Sequence, residues 1–259
     1  MPERRVALIT GASMGIGEAF ADALAARDYD LALVARSAVA LDLIAARLRE
    51  QHGVRVEPIV ADLQAAAAVE QTAATAEALF GRVDLLVNNA GFGAHGQFEK
   101  IDPGRTIGQL RVNVEALVEL TNRLVPAMLA RGSGGIINVA STAAFQPVPY
   151  MAVYGATKAF VLSFSEALAV ELQTRGVRVL ALCPGATATN FFKTAGSDAQ
   201  LGRARTSAQV VASALRAYDR GATYVVDGPF NRILAFSPRF MPRAIIARLA
   251  GRMMQPATK

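Results

Sequence analysis

Two kinds of apolar pattern alternate along this chain. Short, mostly apolar runs occupy residues 6–9, 31–35, 55–60, 84–88, 135–140, 177–182 and 223–226. Between them lie longer stretches whose apolar residues recur every three or four positions, at 18–26, 41–49, 65–80, 107–130 and 154–174. The first kind predicts strands and the second predicts helices. Strands that are apolar on both faces need helices on both sides, so the alternation predicts a parallel sheet. Right-handed crossovers make it a doubly wound α/β sheet, with its ligand site at the C-terminal ends of the strands. The alanine-rich stretch 65–78 reflects helix propensity and is not a repeat.

At 259 residues the chain fits one large domain. Hydrophobic residues make up 53% and charged residues 19%, enough for a sizeable core and too apolar for general disorder. The polar residues 1–5 lead straight into a strand pattern, which is not the pattern of a signal peptide. No apolar run of spanning length is free of charges, so no transmembrane helix is expected. The single cysteine, Cys183, rules out an intramolecular disulfide and suits a cytoplasmic protein. It ends the apolar run Val179-Leu180-Ala181-Leu182, which marks it as a core residue. His52 and His95 stand far apart with no ligand spacing around them, so no metal site is expected.

Charge changes the picture only once it is located. The formal net charge is +6. From residue 222 onward six bases face the single acid Asp227, so the tail carries five of those six charges. The body is close to neutral, which argues against nucleic acid as a partner.

The candidate chemistry begins between the first strand and the first helix, in Thr10-Gly11-Ala12-Ser13-Met14-Gly15-Ile16-Gly17. Small residues there let a backbone approach a pyrophosphate, whose charge the helix N-terminus meets. Arg36 bears on the cofactor. A carboxylate about 20 residues past the glycines would grip a ribose 2′-hydroxyl. Here the second strand ends Val34-Ala35-Arg36-Ser37, with no acid before Asp42. A guanidinium at that place suits a 2′-phosphate, hence NADP(H).

Further along stand Asn88-Asn89-Ala90-Gly91, Asn113, Ser141 and Tyr154-Gly155-Ala156-Thr157-Lys158. A Tyr and a Lys four apart share a helix face, and a nearby cation lowers the pKa of a phenol. Tyr154 would then donate a proton to a carbonyl oxygen, or accept one from an alcohol. Ser141 would bond the same oxygen as charge develops on it.

In order and spacing these motifs resemble the short-chain dehydrogenase/reductase family, in its short single-domain form, from residue 6 to about residue 189. The resemblance implies a Rossmann-type fold, a homo-oligomer of two or four chains, and carbonyl/alcohol redox with NADP(H). Its cofactor set maps onto Gly11, Ser13, Gly15, Ile16 and Gly17 at the phosphates, and Arg36. Asp62 would bond the adenine amino group beside Leu63, and Asn89, Ala90 and Gly91 would bring the fourth strand against the cofactor. Pro184, Gly185, Thr187 and Thr189 would meet the nicotinamide carboxamide, Thr189 through its side chain. Lys158 would hold the nicotinamide ribose next to Tyr154, and Asn113 would support a proton-relay water. Met14 departs from the family pattern, since many NADP-using relatives carry a base there. Enoyl reductases of the superfamily have a wider Tyr-to-Lys spacing, absent here.

Segments 92–98, 143–151 and 190–205 should border the substrate, a small molecule. They bring Phe92, Phe145, Met151, Phe191 and Phe192, which points to an apolar carbonyl or alcohol, and His95 reads as a solvated loop residue. Residues 1–228 form the catalytic domain, and 229–259 an apolar and basic extension. Pro242 suits the first turn of a helix whose Ile245, Ile246, Leu249 and Met253 share one face, flanked by Arg243, Arg248 and Arg252. That stripe could pack on the same domain, on a partner subunit or on a membrane surface. The last two leave a second class of function open: a membrane-surface or partner-binding module with little turnover. Retention of Asn113, Ser141, Tyr154 and Lys158 together favours the enzyme.

Overall fold

In the computed structural model, residues 4–196 and 204–255 are described. The first strand, β1 (Arg5–Thr10), leads through the glycine turn into α1 (Gly15–Ala25), followed by β2 (Tyr29–Ala35) and α2 (Ala38–His52). Next come β3 (Val56–Val60), α3 (Ala66–Phe80), β4 (Leu85–Asn88), α4 (Pro103–Leu110), α5 (Ala116–Ala130) and β5 (Gly134–Val139). The chain continues with α6 (Ala152–Gln173), β6 (Val177–Cys183), α7 (Phe191–Ala195), α8 (Ser207–Asp219) and β7 (Tyr224–Val226). It closes with α9 (Pro229–Phe236) and α10 (Arg243–Met254).

All strand pairs are parallel, in the order β3-β2-β1-β4-β5-β6-β7. The order reverses between β1 and β4, where a doubly wound sheet opens its ligand crevice. Neighbouring residues of one strand serve opposite cores. Ile9 and Leu33 pack with Phe20, Leu24 and Leu41 under α1, α2 and α8. Leu8 and Val34 pack with Leu120, Leu124 and Leu172 under α3, α5 and α6. The long apolar α6 has the length and composition to cross a bilayer, but its Val161, Ser165, Ala169 and Leu172 are buried against the sheet.

A polar thread runs through the second core. Asn88 Nδ2 donates to Asn138 Oδ1 at 2.9 Å and to Thr121 Oγ1 at 3.2 Å. Asn138 Nδ2 donates to Ser165 Oγ at 2.9 Å, and that hydroxyl donates to the Val161 carbonyl at 2.6 Å. Buried amides demand such partners, so the thread fixes α5 and α6 against the sheet centre.

The structure departs from the sequence reading at several points. The expected helix 107–130 starts earlier, at Pro103, because Asp102 accepts from Arg105 N at 2.7 Å and Pro103 suits the first turn. It is also interrupted by one wide π turn, Arg111–Glu115, centred on Asn113. Pro242 stands at the cap of α10, just ahead of its first turn. Helix α8 was not anticipated, although Thr206 and Gln209 form a reciprocal capping box that the sequence displays.

Candidate active site

At the phosphate end, Gly11 and Gly15 adopt φ of +65° and +64°, which side chains other than glycine rarely tolerate. A Cβ on Gly17 would collide with the Gly11 carbonyl and the Asn89 amide, so α1 can lie this close to the turn only with glycine there. The cap residue of α1, Met14, offers no side-chain hydrogen bond, which leaves the first-turn amides for an anion. Thr10, absent from the expected site set, ties the turn to the fourth strand. Its hydroxyl accepts from Asn89 N at 3.0 Å and Ala90 N at 2.9 Å, while Asn89 Nδ2 donates back to the Thr10 and Gly11 carbonyls. Arg36 is exposed at the end of β2 and pairs with no acid among the described residues. Asp62 is exposed beyond β3, where its carboxylate accepts from Gln64 N at 3.1 Å, and Leu63 beside it is buried. Glycines whose Cβ would fill the turn, free helix amides and an unpaired guanidinium form a cradle that fits a dinucleotide with a 2′-phosphate.

At the chemical end, Ser141, Tyr154, Lys158 and Asn113 converge on the C-terminal edge of the sheet. Tyr154 and Lys158 stand one turn apart near the start of α6. Lys158 Nζ lies 5.8 Å from the Tyr154 ring centroid and donates to the Val139 carbonyl at 2.6 Å. A Cβ on Gly91 would come within 3.0 Å of Asn113 Oδ1 and 3.5 Å of Lys158 Nζ, so Asn113, Gly91 and Lys158 adjoin. Asn113 is buried. Its Oδ1 accepts from Phe92 N at 3.0 Å, and its Nδ2 donates to the Phe92 carbonyl at 3.0 Å and to Thr157 Oγ1 at 3.1 Å. These bonds pull Asn113 inward and account for the wide turn around it. Ser141 caps the short helical turn Thr142–Phe145, accepting from Ala143 N at 3.1 Å, and its hydroxyl lies close enough to the Tyr154 phenol to act on it.

The electrostatics correct one expectation. Burial pushes the Tyr154 phenol up to about 12, with the Ser141 hydroxyl pulling the other way. Lys158, expected to lower it, turns its ammonium to the Val139 carbonyl, and burial holds it down at about 8. Cys183, at the end of β6, is buried and pushed up to about 12, which makes it an inert core thiol.

The substrate side is also rearranged. Phe191 stacks at a tilt on Tyr154, centroids 5.1 Å apart, and a Cβ on Gly93 would meet Met151, Phe191 and Tyr154. Phe92 and Phe145, expected to line the pocket, are used for packing. Phe92 lies under the Arg105 guanidinium at 5.7 Å, and Phe145 packs on Tyr224 and Phe236. His95 is half-buried and tied down: its Nε2 donates to the Met254 carbonyl at 2.8 Å, and its amide to Ala195 O at 2.9 Å. The Phe192 side chain and residues 197–203 lie outside the described residues. Arg105 donates to the Gly93 and Thr194 carbonyls, holding α7 over the 92–95 loop.

The strap after β6 is pinned from both sides. A Cβ on Gly15 would meet the Thr189 methyl at 3.1 Å, and Thr189 Oγ1 accepts from Phe191 N at 3.3 Å. Arg205 pairs with the strap by backbone bonds to Ala186 and Ala188, and its Nε lies 2.6 Å from the buried Asp227 carboxylate. Asn231 presses on Gly185 and donates to the Asp227 carbonyl at 2.7 Å. Thr189 thus meets the glycine turn across the crevice, while Pro184, Gly185 and the buried Thr187 lie in the strap that Arg205 and Asn231 hold. Arg205, Asp227 and Asn231 were missed because they act only through distant partners. Asn138 alone left a signal, as an amide inside an apolar strand.

Comparison with known proteins agrees with this geometry. A family model described as short chain dehydrogenase matches residues 5–200. A very-long-chain 3-oxoacyl-CoA reductase of Anas platyrhynchos is 35% identical over 192 residues, which cover 72% of this chain and 61% of that protein. The match thus spans less than two thirds of that relative's length. A short-chain dehydrogenase from Sphingobium yanoikuyae, solved in complex with NADPH, is 35% identical with a TM-score of 0.83, covering 98% of both chains. A bulky-bulky ketone specific alcohol dehydrogenase from Comamonas testosteroni is 30% identical with a TM-score of 0.80, covering 99% of this chain and 97% of that one.

Proposed function

The chain belongs to the short-chain dehydrogenase family, and on that premise we propose that it interconverts a carbonyl and a secondary alcohol with NADP(H), on an apolar small molecule. The observation that carries this reading is the Tyr154 phenol, set beside the Ser141 hydroxyl and one turn before Lys158. The hydride is supplied by the nicotinamide when that group is bound. The chain's own residues handle the oxygen and its proton. Burial keeps the phenol protonated at neutral pH, so Tyr154 enters reduction already loaded as the donor. Ser141 directs a second hydroxyl at the same oxygen, which matters most as negative charge builds there. Lys158, held by the Val139 carbonyl next to Gly91, would bind the cofactor ribose, and Asn113 steadies the Gly91–Phe92 backbone beside it.

NADP(H) is supported by Arg36 without a neighbouring acid and by the NADPH carried by the Sphingobium yanoikuyae relative. An apolar substrate is supported by Phe191 and Met151 beside Tyr154, and by the bulky ketones and long acyl chains in the names of relatives. The test is NADPH binding by fluorescence, followed by NADPH consumption against a panel of bulky ketones and 3-oxoacyl thioesters. Tyr154→Phe should lose about 10²- to 10⁴-fold in turnover with NADPH affinity retained. A Tyr154→Phe protein that turns over at the parent rate would overturn the assignment.

A further inference from the structure

The C-terminal helices are seated on the body by one side only. In α9, Ala235 is buried and Phe236 packs on Phe145, centroids 6.3 Å apart. In α10, Ile246 and Ala250 are buried, Gly251 abuts Pro149, and the Met254 carbonyl accepts from His95. The expected stripe is therefore split: Ile246 turns inward, while Ile245, Leu249 and Met253 face out at 45%, 46% and 86% exposure. Spaced four apart, these three occupy one face of α10. Helix α9 likewise presents Phe230 at 69% and Ile233 at 68%, and Phe240, on the turn between the helices, is 87% exposed. Single exposed apolar residues are ordinary, but an ordered series on two successive helices marks an interaction surface.

The charge of the same segment limits what can cover it. Residues 228–255 hold five arginines and no acid. Arg232, Arg239, Arg243, Arg248 and Arg252 are all exposed, and none forms an ion pair among the described residues. Arg239 lies over the Phe236 ring at 5.0 Å, its stem on apolar surface and its head outward. On α10, Arg248 and Arg252 border the exposed apolar face. A two-fold contact with a second copy would set this acid-free, arginine-rich patch against itself. A surface that takes apolar side chains inward and offers anions at the level of the arginines fits both features at once.

We propose that α9, the 237–240 turn and α10 form a docking face for an anionic lipid bilayer. Phe230, Ile233, Phe240, Leu249 and Met253 enter the acyl boundary, and the arginines meet the lipid phosphates. Because α10 rests on Pro149 and His95, docking brings the substrate-side loops to the membrane surface.

The test is co-sedimentation of the full chain with vesicles of phosphatidylcholine alone or mixed with phosphatidylglycerol, at low and high salt. Binding should need the anionic lipid and weaken with salt. Changing Arg243, Arg248 and Arg252 to Gln should weaken it about fivefold per residue, roughly a hundredfold together. Phe240→Ser with Met253→Ser should also weaken it, with the thermal midpoint and NADPH binding of each variant kept as a check on folding. Equal binding to both vesicle types, or none, would overturn the proposal. So would a dimer by light scattering that ignores vesicles and dissociates when Ile245 and Leu249 become Ser, which would assign the face to a second copy.

Discussion

Removing the Arg205 side chain tests whether the strap after β6 is held by charge. The Asp227 carboxylate is fully buried, and its partner Arg205 is about one-third exposed, with Nε at 2.6 Å. Arg205→Met keeps the stem and deletes the cation, leaving a buried carboxylate without compensation. Breaking a buried pair costs about 3–5 kcal/mol, and the partial exposure of Arg205 places the loss near the lower figure. For a chain of this size about 3 kcal/mol lowers the melting midpoint by roughly 6–12 °C. The double change Arg205→Met with Asp227→Leu should recover most of that loss, because an apolar pair of similar volume can replace a buried ion pair at little cost. Differential scanning calorimetry of the parent, both single variants and the double variant closes the cycle, and NADPH titration of each reads the strap itself. In the single variant affinity should fall along with stability, since segment 184–189 faces the glycine turn through Thr189 and Gly15. A single variant within about 1 kcal/mol of the parent would refute the reasoning, because surface pairs are worth no more than that. So would a double variant no more stable than Arg205→Met.

The remaining predictions concern the two ends of the crevice. Arg36→Asp removes a guanidinium and supplies a carboxylate, so the NADPH-to-NADH affinity ratio should fall by roughly ten- to a hundredfold, the worth of one charged hydrogen-bonded contact; equal binding of both cofactors by the parent would remove the basis for it. Tyr154 is neutral below its value of about 12, so alcohol oxidation, which needs the phenolate, should climb from neutral pH to pH 10 (about tenfold per unit) without a plateau. Ser141→Ala removes the hydroxyl that favours the phenolate and should shift that climb to higher pH, whereas a plateau near neutrality in the parent would contradict the burial argument. Lys158 carries its charge only below about 8, so NADPH affinity should weaken as pH rises through that value.

Much of this molecule was legible because its signals are local or repeated. Leu31, Leu33 and Ile137 stand in apolar runs that only a doubly covered sheet can bury, and each is fully buried. Gly11, Gly15 and Gly17 are required by backbone shape and close approach, which a turn between a strand and a helix announces in sequence. What was not legible depends on partners far along the chain. Asn113 distorts its helix because Phe92 and Thr157 claim its amide, and nothing within Arg111-Val112-Asn113-Val114 states that. Spacing put Lys158 beside Tyr154 but could not give the sign of the phenol's shift, which burial decides. Phe145 looked like a pocket residue and His95 like a solvated loop residue until the C-terminal helices claimed them, through Phe236 and the Met254 carbonyl. The same limit governs α10. Periodicity identifies Ile245, Ile246, Leu249 and Met253 as one side of a helix, but only packing reveals that the body takes Ile246 and leaves the others outside. An apolar face is a demand for a partner, and the unpaired arginines beside it specify the chemistry of that partner better than the periodicity does.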